Sequence, residues 1–555
     1  MTPELIERLL ISRGLVDEEA RKVFLYPDYD RDVHNPFLLS QIETAGKRIL
    51  AAMDNQEHIV IYTDYDTDGI PGGVILHDYF KKVKYEHVRV YTPHRVLEGF
   101  GLNVPAIEEI ADSGATLIIT VDCGSTDTKE VDRARALGVD VIITDHHVVP
   151  ESPPAAIALV NPKQKDDIYP NKDICGAGVA FQLVRALIAL RPIEGAPVGW
   201  EKWLLDMVAI ATLSDMVPLV GENRAFARYG LQVMRKTFRP GIRALLKRLR
   251  IDQKTLTEDD IGFGISPRIN AASRMGVPER AFRLLATESA QEAETLAREL
   301  DLLNNKRKGV VASLVKEVRK RLAHREINGV IVLGDPSWKP SLLGLVANTL
   351  MGEYGVPVFL WGREDGSVIK GSCRSPVGYN VMEIMERAHE HFLDKGGHDC
   401  SGGFSVSHEQ IHFLEEALVT VMRTIPKVTN SADTPHVITV SLTEISDSFL
   451  ESLETLRPFG EGNKKPYLKI TPVQIKEVAS FGKSGEHVRM VCVDDKRTKR
   501  EAIAFFKKPT DFAVFPEAGK RVTVMGNIES GTFMGRTSVR IRILDIVMDD
   551  SSLSV

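Results

Sequence analysis

The stretch Ile59–Gly69, IVIYTDYDTDG, joins a short apolar and β-branched run to three aspartates at alternate positions. An apolar run of this length with turn residues behind it indicates a buried strand. Asp64, Asp66 and Asp68 would repel one another on one loop unless a cation lay between them. Clustered carboxylate oxygens suit Mg²⁺, Mn²⁺ or Ca²⁺. The stretch therefore predicts a strand that ends in a metal-binding loop.

Two other interpretations of this loop have to be weighed. The aspartates and Gly69 match the start of an EF-hand calcium loop, but that motif needs a helix in front and a glutamate at its last position. Here a strand-like run precedes the loop, and Ile75 stands at the last position. The second interpretation, an acidic turn in solvent, loses weight because similar strand-end motifs recur further along the chain.

Two more apolar runs in the first half of the chain end in potential metal ligands. Ala115–Val121 is followed by Asp122-Cys123-Gly124, and Val139–Thr144 by Asp145-His146-His147. Helix-like stretches alternate with these runs, at residues 74–83, 104–113 and 127–137. Such alternation indicates βαβ units and a parallel sheet, whose ligands bind beyond the carboxyl ends of the strands. A fourth candidate ligand is Asp215, which ends an apolar helix-like stretch. It is a candidate only because the other three motifs are present.

This ordered set of motifs resembles the DHH phosphoesterase superfamily, and more narrowly the RecJ family of single-strand-specific 5′→3′ exonucleases. Further matches run from about residue 45 to near the C-terminus: YTPHRVLEGFGL at 91–102, SPRINAASRM at 266–275, KGSCRS at 370–375, GGH at 396–398 and PFGEGN at 458–463. Ser266, Ser273 and Ser341 stand where the family usually has glycine. None of these three serines is a metal ligand, so these differences from the family put only the details of DNA binding in doubt.

The resemblance and the element pattern together predict an α/β fold of several domains. A helical lead-in at 1–40 precedes a parallel-sheet DHH domain at 41–287. A long connecting helix at 288–325, with apolar residues at three- and four-residue spacings, leads to a smaller α/β DHHA1 domain at 326–425. Short alternating strands at 435–555 predict a β-barrel of the OB type, which would bind single strands.

The resemblance implies two divalent ions, with Mn²⁺ preferred and Mg²⁺ as the alternative. Histidine beside carboxylates favours Mn²⁺ more than an all-oxygen shell would. Asp122 would bridge the ions, and Asp64 would join one of them directly or through water. The implied ligands are Asp64, Asp66, Asp68, Asp122, His146 and Asp215. Two ions about 3.5–4 Å apart can activate water, neutralise charge at phosphorus and assist the leaving oxygen.

Catalytic and substrate-binding residues also follow from the resemblance. Asp122, His147 and His398 would be catalytic, with His147 contacting the scissile phosphate or assisting proton transfer. Arginine forks bind phosphate through two oxygens at once, and Arg95, Arg274 and Arg374 match positions that grip a 5′-phosphate. His398 would contact the scissile phosphate. The full substrate-binding set is Arg95, Arg268, Asn270, Arg274, Ser372, Arg374, Gly396, Gly397 and His398.

Composition limits the class of protein. The chain has 555 residues, a net charge of −6 and ordinary hydrophobic content, so several soluble domains are expected. A net negative charge argues against a protein that coats duplex DNA. No run is long enough to span a bilayer, and five cysteines without CxxC spacing suit a reduced cytoplasm.

Partners and rival functions complete the expectations. The resemblance implies single-stranded DNA as substrate in repair and recombination, a monomer, no membrane contact, and a single-strand-binding protein and a helicase as candidate partners. One rival is a DHH enzyme for nanoRNA or cyclic dinucleotides, which would not need a barrel. The other is a RecJ-like scaffold without activity, which should have lost metal ligands.

Overall fold

The computed structural model describes residues 4–363, 368–425, 437–482, 485–533 and 536–549, without the side chains of residues 530–538. Two compact units are formed, one by Met1–Val33, Met216–Arg228 and Ala432–Val555, the other by His34–Asp215 and Tyr229–Ser431. The described α-helices are α1 (Glu4–Ser12), α2 (Glu18–Leu25), α3 (Tyr29–Asp32), α4 (Ile42–Asp54), α5 (Gly69–Lys82), α6 (Val104–Asp112), α7 (Thr128–Ala136), α8 (Gly176–Leu190), α9 (Leu205–Ser214), α10 (Gly221–Met234), α11 (Pro240–Leu249), α12 (Ser266–Arg274), α13 (Glu279–Ala286), α14 (Ala290–Leu322), α15 (Pro340–Tyr354), α16 (Val381–Arg387), α17 (Leu414–Met422) and α18 (Asp447–Leu456).

The strands belong to three sheets. In chain order they are β1 (His58–Thr63), β2 (Val88–Tyr91), β3 (Ala115–Val121), β4 (Asp140–Thr144), β5 (Ala158–Val160), β6 (Ile331–Gly334), β7 (Val358–Gly362), β8 (Ile369–Arg374), β9 (Asp394–His398), β10 (Ser401–Val406), β11 (Val437–Val440), β12 (Tyr467–Phe481), β13 (His487–Val493), β14 (Lys499–Phe505), β15 (Arg521–Phe533) and β16 (Arg536–Met548).

The first five strands form a fully parallel sheet in the order β2-β1-β3-β4-β5. Ile59, Val60 and Ile61 are all buried, because helices cover both faces of the sheet. This explains why the strand is a continuous apolar run in the sequence, and the predicted parallel α/β fold is confirmed. The carboxyl ends of β1, β3, β4 and β5 share one rim, which is where the site lies.

Helix α14 connects this sheet domain to the next one. Ser289 caps it by accepting a hydrogen bond from the Glu292 N–H at 3.3 Å. The first part of the helix packs on α11, α12 and α13, and Leu314 and Val318 lie in the core of the following domain. The connecting helix that the leucine spacing predicted is confirmed.

The second sheet of this unit is mixed, in the order β6-β7-β8-β10-β9. Strands β6 and β7 are parallel, and the remaining neighbours are antiparallel. The sequence pattern does not predict strands β9 and β10, because Gly396, Gly397, Gly402 and Gly403 break the apolar alternation. Strand β9 is the last strand of this sheet, so residues 396–398 lie on its edge.

The other unit is built around a six-stranded barrel in the order β11-β12-β13-β14-β16-β15, closed by pairing of β12 with β15. Apolar residues of α1 and α2 join the barrel core, so the N-terminal helices pack here. Arg224 of α10 is 1% exposed, lies over the Phe24 ring and donates to the carbonyl oxygens of Phe24 and Arg457. The predicted barrel is confirmed.

Within the part of the chain that the structure describes, we find no helix whose length and apolar character would let it cross a bilayer.

Candidate metal centre and phosphate-binding site

The metal loop is the connection between β1 and α5. Helix α5 begins at Gly69, earlier than the predicted residue 74, because the Asp66 Oδ1 accepts the N–H groups of Asp68 and Gly69 at 2.7 and 3.3 Å. A Cβ on Gly69 would lie 2.6 Å from the Asp64 carbonyl oxygen. The tight turn that this glycine permits brings three carboxylates together at the strand end.

Asp68 is fixed by a helix from elsewhere in the fold. Its two carboxylate oxygens accept the Gly176 and Ala177 N–H groups at 2.6 and 2.7 Å, at the start of α8. Burial and the charge of Asp66 raise the pKa of Asp68 to about 7, although these two N–H groups act in the opposite direction. Asp68 is therefore a fixed carboxylate whose ionisation is costly while no cation lies beside it.

Asp122 lies at the centre of the cluster, directly after β3. Its φ is +64°, in the left-handed region that non-glycine residues rarely adopt. A Cβ on Gly176 would lie 2.6 Å from the Asp122 Cβ, so this position needs glycine. Burial and the charges of Asp68, Asp66 and Asp64 raise the pKa of Asp122 well above its usual value.

The two histidines of the DHH motif have different environments. His146 Nε2 lies 3.1 Å from Asp122 Oδ1, 3.6 Å from Asp68 Oδ2 and 3.8 Å from Asp215 Oδ2. Burial lowers the pKa of His146 to about 3, which keeps the ring neutral as a metal ligand must be. Burial also opposes the charge on His147, but its hydrogen bond with Asp145, 2.8 Å from Nδ1, raises the pKa to about 9.

The donor atoms fall into three overlapping groups. In each group the potential ligand atoms lie within 4.8 Å of one another, and the groups are Asp64-Asp66-Asp122, Asp68-His146-Asp215 and Asp122-His146-His147. Asp215 closes the C-terminus of α9, and burial, Asp68 and Asp66 raise its pKa to about 8. Among the described residues, Asp64 Oδ1 and Asp122 Oδ1 are buried without a hydrogen-bond donor. Orphaned buried oxygens in a mixed carboxylate and imidazole set fit divalent cations.

A cluster of guanidinium groups lies beside these carboxylates. The buried Nε of Arg274 has no hydrogen-bond partner among the described residues, and its Nη1 donates to the Ser341 carbonyl at 2.9 Å. Burial and the charges of Arg95, Arg307 and Arg374 lower the pKa of Arg274 to about 9. Like charges gathered at a buried site favour an anion, and phosphate suits the arginine fork.

The other predicted substrate residues are placed differently. Asn270 Nδ2 donates to Thr67 Oγ1 at 2.6 Å, which ties α12 to the metal loop. Ser372 precedes Arg374 by two residues on β8 and so shares its face. The Arg268 guanidinium is occupied by Asp301 at 3.0 Å and the Gly264 carbonyl at 2.9 Å, so its role in substrate binding stays a prediction.

The glycine strand brings His398 to the DHH motif. The rings of His398 and His147 are stacked with centroids 6.4 Å apart. Gly397 has φ +145°, and a Cβ there would meet the Ser401 carbonyl at 2.3 Å, whereas a Cβ on Gly396 would meet no atom within 4 Å. Gly397 is therefore needed for the pairing of β9 with β10, whereas Gly396 leaves open space next to the site.

Several residues at the site were not predicted as functional. Asp145 orients His147, Gly176 makes room for Asp122, and Arg307 of α14 adds charge to the arginine cluster. Asn161 follows β5 and donates to the His147 carbonyl at 2.9 Å. Only Asp145 had a signal in the sequence, since it stands inside the DHH motif. The others depend on contacts between distant segments.

Comparison with known proteins gives three domain matches along the chain. Residues 58–212 match the DHH family, N-terminal domain; residues 326–424 match the DHHA1 domain; and residues 438–545 match the RecJ OB domain. These matches cover the parallel sheet, the mixed sheet and the barrel, respectively.

Whole-chain comparisons agree with the domain matches. The chain is 32% identical to the single-stranded-DNA-specific exonuclease RecJ of Bacillus subtilis, over 100% of this chain and 69% of that protein. Two crystal structures of RecJ from Thermus thermophilus superpose on it. The Mn²⁺ complex has a TM-score of 0.79 at 26% identity, covering 98% of this chain and 76% of that one, and the Mg²⁺ complex has 0.74 at 25%, covering 97% and 74%.

The two Thermus thermophilus structures are complexes with Mn²⁺ and Mg²⁺, and the carboxylate and histidine cluster of this chain is of the kind that binds divalent cations. The three domains follow one another in the same chain, and the identity extends across all of them. The chain belongs to the RecJ family.

Proposed function

We propose that this protein is a single-strand-specific DNA exonuclease that removes nucleotides in the 5′→3′ direction with the help of two divalent ions. Family membership already makes the chain a metal-dependent nuclease. The observation that carries the finer proposal is the guanidinium cluster beside the carboxylates. Burial raises the pKa of Asp64, and the positive charge of Arg95 opposes this rise. The negative charge of Asp66 in turn raises the pKa of Arg274. The carboxylates and the guanidinium groups are therefore close enough to affect each other's charge.

The residues that would hold the ions, Mn²⁺ by preference and Mg²⁺ as the alternative, are Asp64, Asp66, Asp68, Asp122, His146 and Asp215. Bound ions would supply an activated water and charge neutralisation at phosphorus. The protein's own part is to fix this set. Asp68 is held by the start of α8, and His146 bonds the Ile174 backbone, which orients the ring.

His147 would act on the scissile phosphate. Its Nδ1 is bonded to Asp145, which leaves Nε2 to carry a proton toward substrate. Burial opposes the charge on this ring, but the hydrogen bond with Asp145 raises its pKa to about 9 while no ion is bound, which favours the protonated form that would donate to a phosphate oxygen or to the leaving oxygen. His398 stacks on it from the DHHA1 domain and would complete the contact to the same phosphate.

The direction of degradation would be set by the arginines. A terminal 5′-phosphate gripped by Arg95, Arg274 and Arg374 would leave the next phosphodiester at the metal centre. Arg374 Nη1 donates to its neighbour's carbonyl at 2.7 Å, so the other donors of its fork can be directed at two phosphate oxygens. This account predicts that selection of the 5′ end and chemistry depend on different residues.

The first experiment tests the reaction itself. Wild-type protein with Mn²⁺ should release mononucleotides from a long 5′-phosphorylated single strand and leave the matching duplex intact. Asp122→Ala should abolish release while thermal unfolding stays close to wild type, because the variant removes a carboxylate shared by two of the ligand groups. Near-wild-type release by Asp122→Ala would refute the two-metal proposal.

The second experiment tests polarity through the ratio of cleavage rates on 5′-phosphorylated and 5′-hydroxyl strands. Arg374→Ala should bring this ratio close to one, and Arg374→Lys should restore little of it, since lysine cannot fork. Lys395→Ala is the matched control, because Lys395 lies on the same sheet and pairs with Glu386. An unchanged ratio in Arg374→Ala would mean that the 5′ end is recognised elsewhere.

A phosphodiesterase for nanoRNA or cyclic dinucleotides is the alternative that shares the metal centre. Preference for dinucleotides over long strands in the same assay would favour it. The proposal further places the protein in the cytoplasm as a monomer acting in DNA repair and recombination, with a single-strand-binding protein and a helicase as partners. It also retains the domain boundaries 41–287, 326–425 and 435–555.

A further inference from the structure

We propose that Ser341 and Gly344, near the start of α15, position Arg274 and Arg374 for the phosphate at the 5′ end of the strand. We call Ser341 and Gly344 the arginine seat. The inference rests on the proposed function, because it names the residues that keep the proposed phosphate-binding arginines in place. It also gives a role to Ser341, which stands where the RecJ family usually has glycine.

Ser341 and Arg274 are joined by two hydrogen bonds, one in each direction. The Ser341 Oγ donates to the Arg274 carbonyl at 2.9 Å, and the Ser341 carbonyl accepts a hydrogen bond from Arg274 Nη1, also at 2.9 Å. Arg274 is the last residue of α12, where carbonyl groups have no donor within the helix. Ser341, which is buried, therefore holds both the end of α12 and the guanidinium that extends from it.

Gly344 makes room for the second arginine on the same face of α15. It lies three residues after Ser341, and residues three apart are neighbours on a helix surface. A Cβ on Gly344 would lie 2.9 Å from Arg374 Nη2, and its three nearest atoms would all belong to the Arg374 guanidinium. The glycine therefore lets Arg374 Nη2 lie close to the helix, and a side chain at this position would displace it.

Contact with Ser341 orients the free edge of the Arg274 guanidinium. Nη1 is used by the Ser341 carbonyl, whereas the buried Nε finds no acceptor in the part of the chain that the structure describes. Nε and Nη2 form the other edge, which can donate to two oxygens of one phosphate. A buried donor without an acceptor is costly, so this edge favours a ligand that supplies oxygens.

Repulsion among the arginines is the reason that they need fixed positions. Burial and the charge of Arg95 lower the pKa of Arg274 to about 9, and Arg374 acts in the same direction. Burial and Arg95 also lower the pKa of Arg374. Guanidinium groups that repel one another move apart when nothing holds them. The arginine seat is uncharged, so it holds them without neutralising the charge that binds an anion.

A terminal phosphate fits two guanidinium forks held at a fixed separation better than the other groups of a strand do. It offers three unshared oxygens and close to two negative charges. An internal phosphodiester has fewer free oxygens and less charge, and a 5′-hydroxyl has no charge. The arginine seat should therefore control the affinity for a terminal phosphate, and the metal centre should control the chemistry.

The first test uses inorganic phosphate as the probe and needs no hydrolysis. The shift of thermal unfolding in EDTA gives the affinity of the full-length protein for phosphate, and Arg374→Ala identifies the part that belongs to this site. Ser341→Ala should weaken phosphate binding by about 3- to 10-fold, because it removes one hydrogen bond that holds Arg274. Gly344→Ala should weaken it by about tenfold or more, because its Cβ displaces Arg374 Nη2.

Matched variants of the same helix separate positioning from general damage to the fold. Gly352→Ala adds a methyl group where no atom lies within 4 Å, and Thr349→Ala removes a hydroxyl that donates to the Leu345 carbonyl at 3.1 Å; both should bind phosphate as wild type does. Ser341→Thr keeps the hydroxyl and should restore most of the affinity. Without phosphate, Gly344→Ala should unfold at or above the wild-type temperature, since alanine favours a helix.

The second test connects the arginine seat to the 5′ end of a strand. With Mn²⁺, Ser341→Ala and Gly344→Ala should lower kcat/KM on a 5′-phosphorylated single strand by factors similar to those for phosphate. The loss should appear in KM rather than in kcat, and it should be absent on a 5′-hydroxyl strand. Equal cleavage of the two strands by wild-type protein would refute the 5′-end selection of the proposed function, while the phosphate measurements would still decide on the seat.

Three outcomes would overturn the proposal. Wild-type affinity for phosphate in both Ser341→Ala and Gly344→Ala would show that neither residue positions an arginine. Absence of phosphate binding that depends on Arg374 in the wild-type protein would leave the arginine seat without an anion to serve. Equal losses of affinity in Gly352→Ala and Gly344→Ala would show that any change in α15 has the same effect.

Discussion

Binding of Mn²⁺ should release protons from the carboxylate cluster, and the number released should depend on pH. Burial and neighbouring carboxylates raise the pKa of Asp68 to about 7 and that of Asp215 to about 8. A carboxylate must be deprotonated to ligate a metal ion. Below pH 7 the metal-free protein therefore carries protons that ion binding has to displace.

The size of the effect follows from these two pKa values. At pH 6 Asp68 is about nine-tenths protonated and Asp215 is almost fully protonated, so the pair should release about two protons. At pH 7 the release from this pair should be about one and a half, and near pH 9.5 it should be almost zero; Asp64 and Asp122, whose pKa values burial also raises, would add to the total. The contribution of this pair to affinity should accordingly rise about 100-fold for each pH unit near pH 6 and level off above about pH 9.

Isothermal titration of Mn²⁺ in two buffers with different ionisation enthalpies gives the number of protons released. Asp68→Asn removes one titrating group but keeps an oxygen for the α8 N–H groups, so release at pH 6 should fall by about one proton. Asp54→Asn is the matched control, since Asp54 is exposed and pairs with Arg191. Release below half a proton at pH 6 in wild type, or no change in Asp68→Asn, would refute the reasoning.

Three other sets of variants test particular contacts. Gly176→Ala should lower Mn²⁺-dependent cleavage at least about tenfold, because its Cβ would displace Asp122; unaltered rates would contradict the close approach. Gly396→Ala should slow cleavage without lowering the thermal unfolding temperature, whereas Gly397→Ala should lower that temperature, since only the second Cβ meets protein atoms. Arg224→Leu should destabilise the barrel unit by about 3 kcal/mol, because it leaves buried carbonyl oxygens without donors, and a denaturant midpoint equal to wild type would argue against this.

Local sequence patterns determined the catalytic sheet of this protein and the residues at its rim. Strands β1, β3 and β4 are buried on both faces, so they appear as apolar runs, and each run stops where the polar ligands begin. Because parallel strands align their carboxyl ends, the order of motifs along the chain was sufficient to predict that Asp68, Asp122 and His146 would meet. The leucine spacing that predicted helix α14 is likewise a feature of one segment of the sequence.

Only the tertiary structure decided the contacts between segments far apart in the chain. Asp68 depends on the start of α8, and the fit of Asp122 depends on Gly176, neither of which has a sequence signal. Strands β9 and β10 form because neighbours supply their hydrogen bonds, although glycine gives them no apolar alternation. The pairing of Phe481 with His487 and of His487 with Phe505 depends on the register of β12, β13 and β14. Register, close approach and long-range packing are properties of pairs of segments, so no single segment encodes them, whereas alternation, burial and ligand type belong to each segment and can be recognised in it.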